Sequence, residues 1–184
     1  MIDKYFLNNI IQLFKEKNYN EVILKIEKNI KINERTPDLL NLCGVCRLLK
    51  KNNDKTDIIL ALNDFELYYI KTKKNFQKIE AVCNFITTCV VNSQKFVEVI
   101  PSFVKAKKMF EECINEVGYD EKLYIRGADL YKYTLDHSKN RKLLSELIKN
   151  KTKSKISACA YGYMSNYTYD WGSKDYFEYS KKFE

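Results

Sequence analysis

An all-α array of antiparallel helical hairpins is the fold this sequence predicts, and three observations lead there. Turn-makers and breakers are scarce, because 184 residues contain five Gly and two Pro, which poorly supplies a sheet with many tight turns. Lys, Glu and Leu, all good helix formers, are abundant alongside Ile and Asn. Apolar residues recur three and four apart, the spacing that places side chains on one helix face. The length suits one sizeable core or one short helical array, and a second independent domain would be cramped.

The first helix is expected from about Asp3, with Phe6, Ile10, Leu13 and Phe14 on one face, ending near Lys17. Asn18-Tyr19-Asn20 makes a polar turn, and Val22, Ile23, Ile26 and Ile30 give the buried face of a second helix. Thr36-Pro37-Asp38 restarts the chain, with Pro where its missing N–H costs nothing, and Leu39, Leu40, Cys43 and Leu48 form the next apolar face. A polar break at Lys51-Asn52-Asn53-Asp54 precedes a fourth helix carrying Ile58, Ile59, Leu62 and Phe65. Residues 1–70 thus read as two hairpins. Residues 71–150 read as irregular hairpins continuing the array: a helix from Ile79 to Val91, another from Ser93 to Val117 opened or kinked by Pro101, a stop at Gly118, then helices over 121–135 and 140–149. Residues 151–184 form a basic, Tyr-rich segment that closes on a short helix from about Ser173.

Shifting the sequence by about 34 residues matches Phe6 with Leu40, Phe14 with Leu48, Asn18 with Asn52, Val22 with Thr56 and Ile26 with Leu60. With that register, the stretch Leu40-Asn41-Leu42-Cys43-Gly44-Val45-Cys46-Arg47 resembles the tetratricopeptide repeat. Gly44 stands where that family places a small residue so that the two helices of a hairpin can touch, whereas Ile10 stands there in the first copy. Thr56 and Val22 occupy a place where the family prefers Ala. The resemblance implies a right-handed solenoid whose concave face is lined by the first helix of each hairpin and binds peptides. Its groove positions fall on Lys4, Leu7, Ile11 and Phe14 in the first copy and on Asn41, Val45 and Leu48 in the second. Family members that clamp the carboxylate of chaperone tails use Lys, Arg and Asn there. Leu7, Ile11 and Val45 depart from that clamp, so the expected ligand is an apolar or amphipathic segment.

No catalytic constellation is legible. Cys43-x-x-Cys46 has zinc or redox spacing but lies in an apolar helical pattern, Cys83 and Cys89 are six positions apart, and the single His137 is distant, so core packing is the expectation. His137 itself sits in a polar turn between helices, away from any candidate nucleophile. The adjacent carboxylates Glu111-Glu112 and Asp120-Glu121 point apart on a helix and read as solvated charges. Phosphate-binding glycine loops and nucleophile elbows are missing, so neither enzyme activity nor a cofactor is expected. No apolar run approaches the ~18 residues that span a bilayer, and Met1-Ile2-Asp3-Lys4 leads into no secretory region. With six cysteines placed in helical patterns, these features predict a soluble cytoplasmic protein with reduced thiols and no membrane partner.

The net charge of +8 admits a polyanion partner. Lys149, Lys151, Lys153 and Lys155, followed by Tyr161, Tyr163, Tyr167, Tyr169 and Trp171, could pair phosphates and stack the bases of single-stranded RNA. Packing of a terminal helix explains the same aromatics, and no recognised nucleic-acid motif accompanies them, so a protein or peptide partner is preferred. The run from Tyr161 to Tyr167, then Asp170-Trp171 and Asp175 to Glu184, resembles the junction between repeats and catalytic region in O-linked N-acetylglucosamine transferases and Spindly-type glycosyltransferases. That resemblance implies a second reading: an acceptor-recruiting region whose catalytic domain lies beyond this chain.

Overall fold

The computed structural model describes residues 4–150, which form eight α-helices and two single 3-10 turns, with no strand among the described residues. Two compact units are distinguished, one running to Ser102 and the other beginning at Phe103.

The first unit comprises α1 (Lys4–Lys15), α2 (Tyr19–Asn29), α3 (Pro37–Leu49), α4 (Lys55–Lys71) and α5 (Asn75–Asn92), each packing on the helix before it. The periodic apolar residues supply its core. Ile10, Val22, Ile23, Ile26, Leu39, Cys43 and Cys46 form one buried cluster, and Leu40, Tyr68 and Ala81 another. Local chemistry fixes the helix starts. Thr36 accepts from the Leu39 N–H at 3.4 Å, with Pro37 in the first turn of α3. Asp54 and Asp57 form a reciprocal capping box on α4, with bonds of 2.9 and 3.1 Å. Gly44 is buried where α3 meets α4: a Cβ there would lie 2.6 Å from the Phe65 ring, so only a residue without a side chain lets the two helices approach this closely.

The repeat register holds for the first helices of the two hairpins and slips in the second. Three residues, 16–18, join α1 to α2, whereas five, 50–54, join α3 to α4. The positions in α4 equivalent to Val22 and Ile26 are therefore Ile58 and Leu62, two further along than Thr56 and Leu60. Ile58 and Leu62 are buried, whereas Thr56 is exposed and Leu60 is 38% exposed.

Further along, α5 extends beyond the expected 79–91 at both ends. The helix expected from Ser93 starts only at Ser102, because Phe96 is extended and a 3-10 turn, Val97–Val99, intervenes. Pro101, which cannot donate into a helix interior, stands just ahead of that start.

The second unit contains α6 (Ser102–Val117) apart from its first residue, α7 (Glu121–Tyr133) and α8 (His137–Lys149), with α7 and α8 paired as a hairpin. Asp120 and Asp136 cap α7 and α8, accepting from Leu123 and Lys139 at 2.9 and 3.1 Å. Because of that cap, α8 begins at His137 and not at the expected Asn140. Phe110 of α6 packs edge-on against Tyr131, with ring centroids 5.8 Å apart. It also fills the space over Gly127, where a Cβ would meet it at 2.3 Å.

The hairpins α1–α2 and α7–α8 turn in the same way. Lys17 and Leu135 take left-handed conformations, with φ of 62° and 58°. The next N–H reaches back five residues, Asn18 to Leu13 and Asp136 to Tyr131, at 2.9 Å in both turns.

Residues 151–184, with the tyrosine-rich segment, Cys159, the helix expected from about Ser173 and the transferase-like run, lie outside the described residues.

Candidate partner-binding groove

Among the described residues, α1 packs on α2 and meets the edge of α3, and part of its apolar face stays exposed. Ile10 is buried, but Leu7 and Ile11 remain 36% and 50% exposed. Together with Phe6 and, from α3, Leu39 and Leu42, they line a groove of about 1010 Å³. The end of α2 and the loop into α3 close it with Asn29, Ile30, Glu34, Thr36 and Asp38. A volume of this size lies at the upper end of the range for ligand pockets, and its apolar lining suits hydrophobic side chains.

A second, smaller concavity of about 250 Å³ lies between α3 and α5 and is lined by Val45, Leu48 and Leu49 facing Thr87, Thr88 and Val91. Between the two, Asn41 accepts a hydrogen bond from Asn84 Nδ2 at 3.0 Å, which joins α3 to α5. The groove positions implied by the repeat resemblance are therefore distributed unevenly. Leu7 and Ile11 line the large groove, Val45 and Leu48 the small one, and Asn41 is engaged in the bridge between helices. Lys4 is an exposed residue at the start of α1, and Phe14 packs edge-on against Tyr19, centroids 5.6 Å apart, inside the first hairpin.

Of the described cysteines, Cys43, Cys46, Cys89 and Cys113 are buried side chains of the core and Cys83 is half-buried. Cys43 and Cys46 are fully buried, and burial pushes both thiols up to about 12, which disfavours the nucleophilic thiolate at neutral pH. Among the described residues no cluster of three or more His, Cys, Asp or Glu is arranged to hold a metal. His137 is exposed as the first residue of α8. Of the carboxylates read as solvated, Asp120 is a helix cap, and Glu111 accepts from Tyr131 Oη at 2.8 Å and Lys139 Nζ at 2.7 Å. The hydrogen bond from Lys139, then that from Tyr131, holds the Glu111 carboxyl below the usual carboxylate range. No helix among the described residues is long and apolar enough to cross a membrane.

A group of buried charges escaped the sequence reading. Asp64 on α4 and Arg47 on α3 are 2% and 5% exposed and are joined at 3.0 Å. Arg47 also pairs with Glu27 of α2, and Arg35 approaches the other Asp64 oxygen at 3.8 Å. The signal was present: Arg47 interrupts the apolar run of α3, and Asp64 falls between Leu62 and Phe65 on the buried stripe of α4. Each charge has an opposite partner, so the group reads as a clamp across three helices and not as reactive chemistry.

No family model matches the chain, nor does any curated protein or solved structure.

Proposed function

We propose that this chain is a protein-interaction scaffold of the tetratricopeptide type, which binds an apolar or amphipathic segment of a partner protein in the groove between α1 and α3. The observation that carries the reading is the exposure of Leu7 and Ile11 on the floor of an apolar groove, where a purely structural helix would present polar side chains. The repeat-like register of α1 and α3, and Gly44 at the closest approach of a hairpin, support the assignment to that type.

The test is quantitative affinity capture from lysate with the wild-type chain, Ile11→Asp and Val45→Asp in parallel, with circular dichroism to verify the helix content of each. A charge at Ile11, on the groove floor, is expected to remove the specific partners of the wild type, whereas Val45→Asp, in the smaller concavity between α3 and α5, should retain them. Identical partner sets for all three folded proteins would refute the groove as the binding site.

A further inference from the structure

The groove between α1 and α3 has an electrostatic character opposite to that of the chain. The sequence holds 32 Lys and Arg against 24 Asp and Glu, yet the charged residues that line this groove are both acidic, Glu34 and Asp38. Neither makes an ion pair among the described residues, although Lys71 Nζ donates to the Asn33 and Arg35 carbonyls on either side of Glu34 at 2.8 and 3.0 Å and so occupies the turn's backbone and not its carboxylate. Asp38 accepts from the amide Nε2 of Gln77 at 3.0 Å, a neutral donor. Both flank the start of α3 and line the groove beside the polar Asn29 and Thr36, opposite the apolar side chains of α1. Asp38 is in the first turn of α3, where the positive end of the helix already favours a carboxylate. Glu34, on the exposed 3-10 turn, therefore holds the larger share of the attraction for an incoming cation.

An apolar groove with acidic residues in its lining selects by both properties at once. Apolar area supplies affinity, and the rim charge sets orientation and rejects segments of the wrong sign. Resting on the reading of this groove as a partner site, we infer that its occupant is an amphipathic segment whose apolar face is flanked by Lys or Arg, so that the apolar side chains cover Leu7 and Ile11 while the cation meets Glu34 and Asp38. An acidic peptide of the kind bound by carboxylate clamps is excluded by the same charges.

The test uses the full chain and two synthetic probes of about fifteen residues, with one shared Leu- and Ala-rich amphipathic sequence flanked by lysines in one and by glutamates in the other. Binding is followed by fluorescence anisotropy. The lysine probe is expected to bind roughly fivefold more tightly at low salt, with the difference shrinking as ionic strength rises. Glu34→Gln with Asp38→Asn should abolish the difference, Glu34→Lys should reverse it, and Ile11→Asp should remove both probes. Equal binding of the two probes, still sensitive to Ile11→Asp, overturns the charge inference and leaves the groove reading standing. Binding of neither probe, or binding of both that ignores Ile11→Asp, overturns the groove reading itself. Analytical ultracentrifugation separates the remaining occupant: a wild-type dimer that Ile11→Asp converts to monomer assigns the groove to a second copy of the chain and overturns the proposal.

Discussion

At the scale of single residues, two kinds of position decide how closely the helices pack. Gly44 and Gly127 are placed where a neighbouring ring, Phe65 or Phe110, fills the volume a side chain would need. Gly44 was legible because a glycine inside an apolar helical run has a cost that only close approach offsets. Gly127 gave no comparable signal, since Phe110 is distant in sequence and only folding brings it over. The buried Asp64–Arg47 pair is the other kind. Burial pushes the Asp64 carboxyl up, against the hydrogen bond and charge of Arg47 and the charge of Arg35. Removing one partner leaves the others charged and unpaired in a dry interior. Asp64→Ala is therefore expected to cost about 3–5 kcal/mol in urea unfolding, whereas Arg47→Met combined with Asp64→Leu should recover most of that loss. A single variant that unfolds within about 1 kcal/mol of wild type would show that the clamp is not needed for stability.

At the scale of elements, the turns set the register. The three-residue turn of the first hairpin and the five-residue turn of the second displace the core face of α4 relative to α2, which is why Thr56 and Leu60, aligned by sequence, end at the surface. A fixed period read along a chain assumes equal connections, and the apolar pattern within one helix does not report the length of the turn before it. The tight turns also hold two non-glycine residues in the left-handed region, and Leu135 does so while 75% exposed. Glycine there relieves the Cβ strain without removing a buried contact. Leu135→Gly should raise stability by roughly 0.5–1 kcal/mol, read as a higher urea midpoint with unchanged slope. An unchanged or lower midpoint would mean that the exposed leucine side chain contributes more than the strain costs.

At the scale of the whole molecule, the two compact units carry buried thiols that report on each separately. Cys43, Cys46 and Cys89 are fully buried in the first unit, with thiols pushed up to about 12 by burial, and Cys113 is fully buried in the second. Thiols raised this far by burial are held in the protonated, poorly nucleophilic form at pH 8, and the fold screens them from the reagent. Iodoacetamide is thus expected to spare these cysteines in the native chain and to label Cys43, Cys46 and Cys89 together as urea unfolds the first unit, with Cys113 following the second. Rapid native-state labelling of Cys43 would contradict its place in the core. The sequence by itself determined the all-α class, the helices of residues 4–71 to within a few residues and the core faces of α1 to α3, because three-and-four spacing, Pro37 at a helix start, the polar break at 51–54 and a scarcity of Gly and Pro are local signals. Only the tertiary structure decided which of the expected groove residues share a cavity, that Asn41 is tied to Asn84, and that Glu34 and Asp38 line the same groove as Leu7 and Ile11. Those relations join side chains on different helices, and the angle and spacing between helices are set by packing that no single segment encodes.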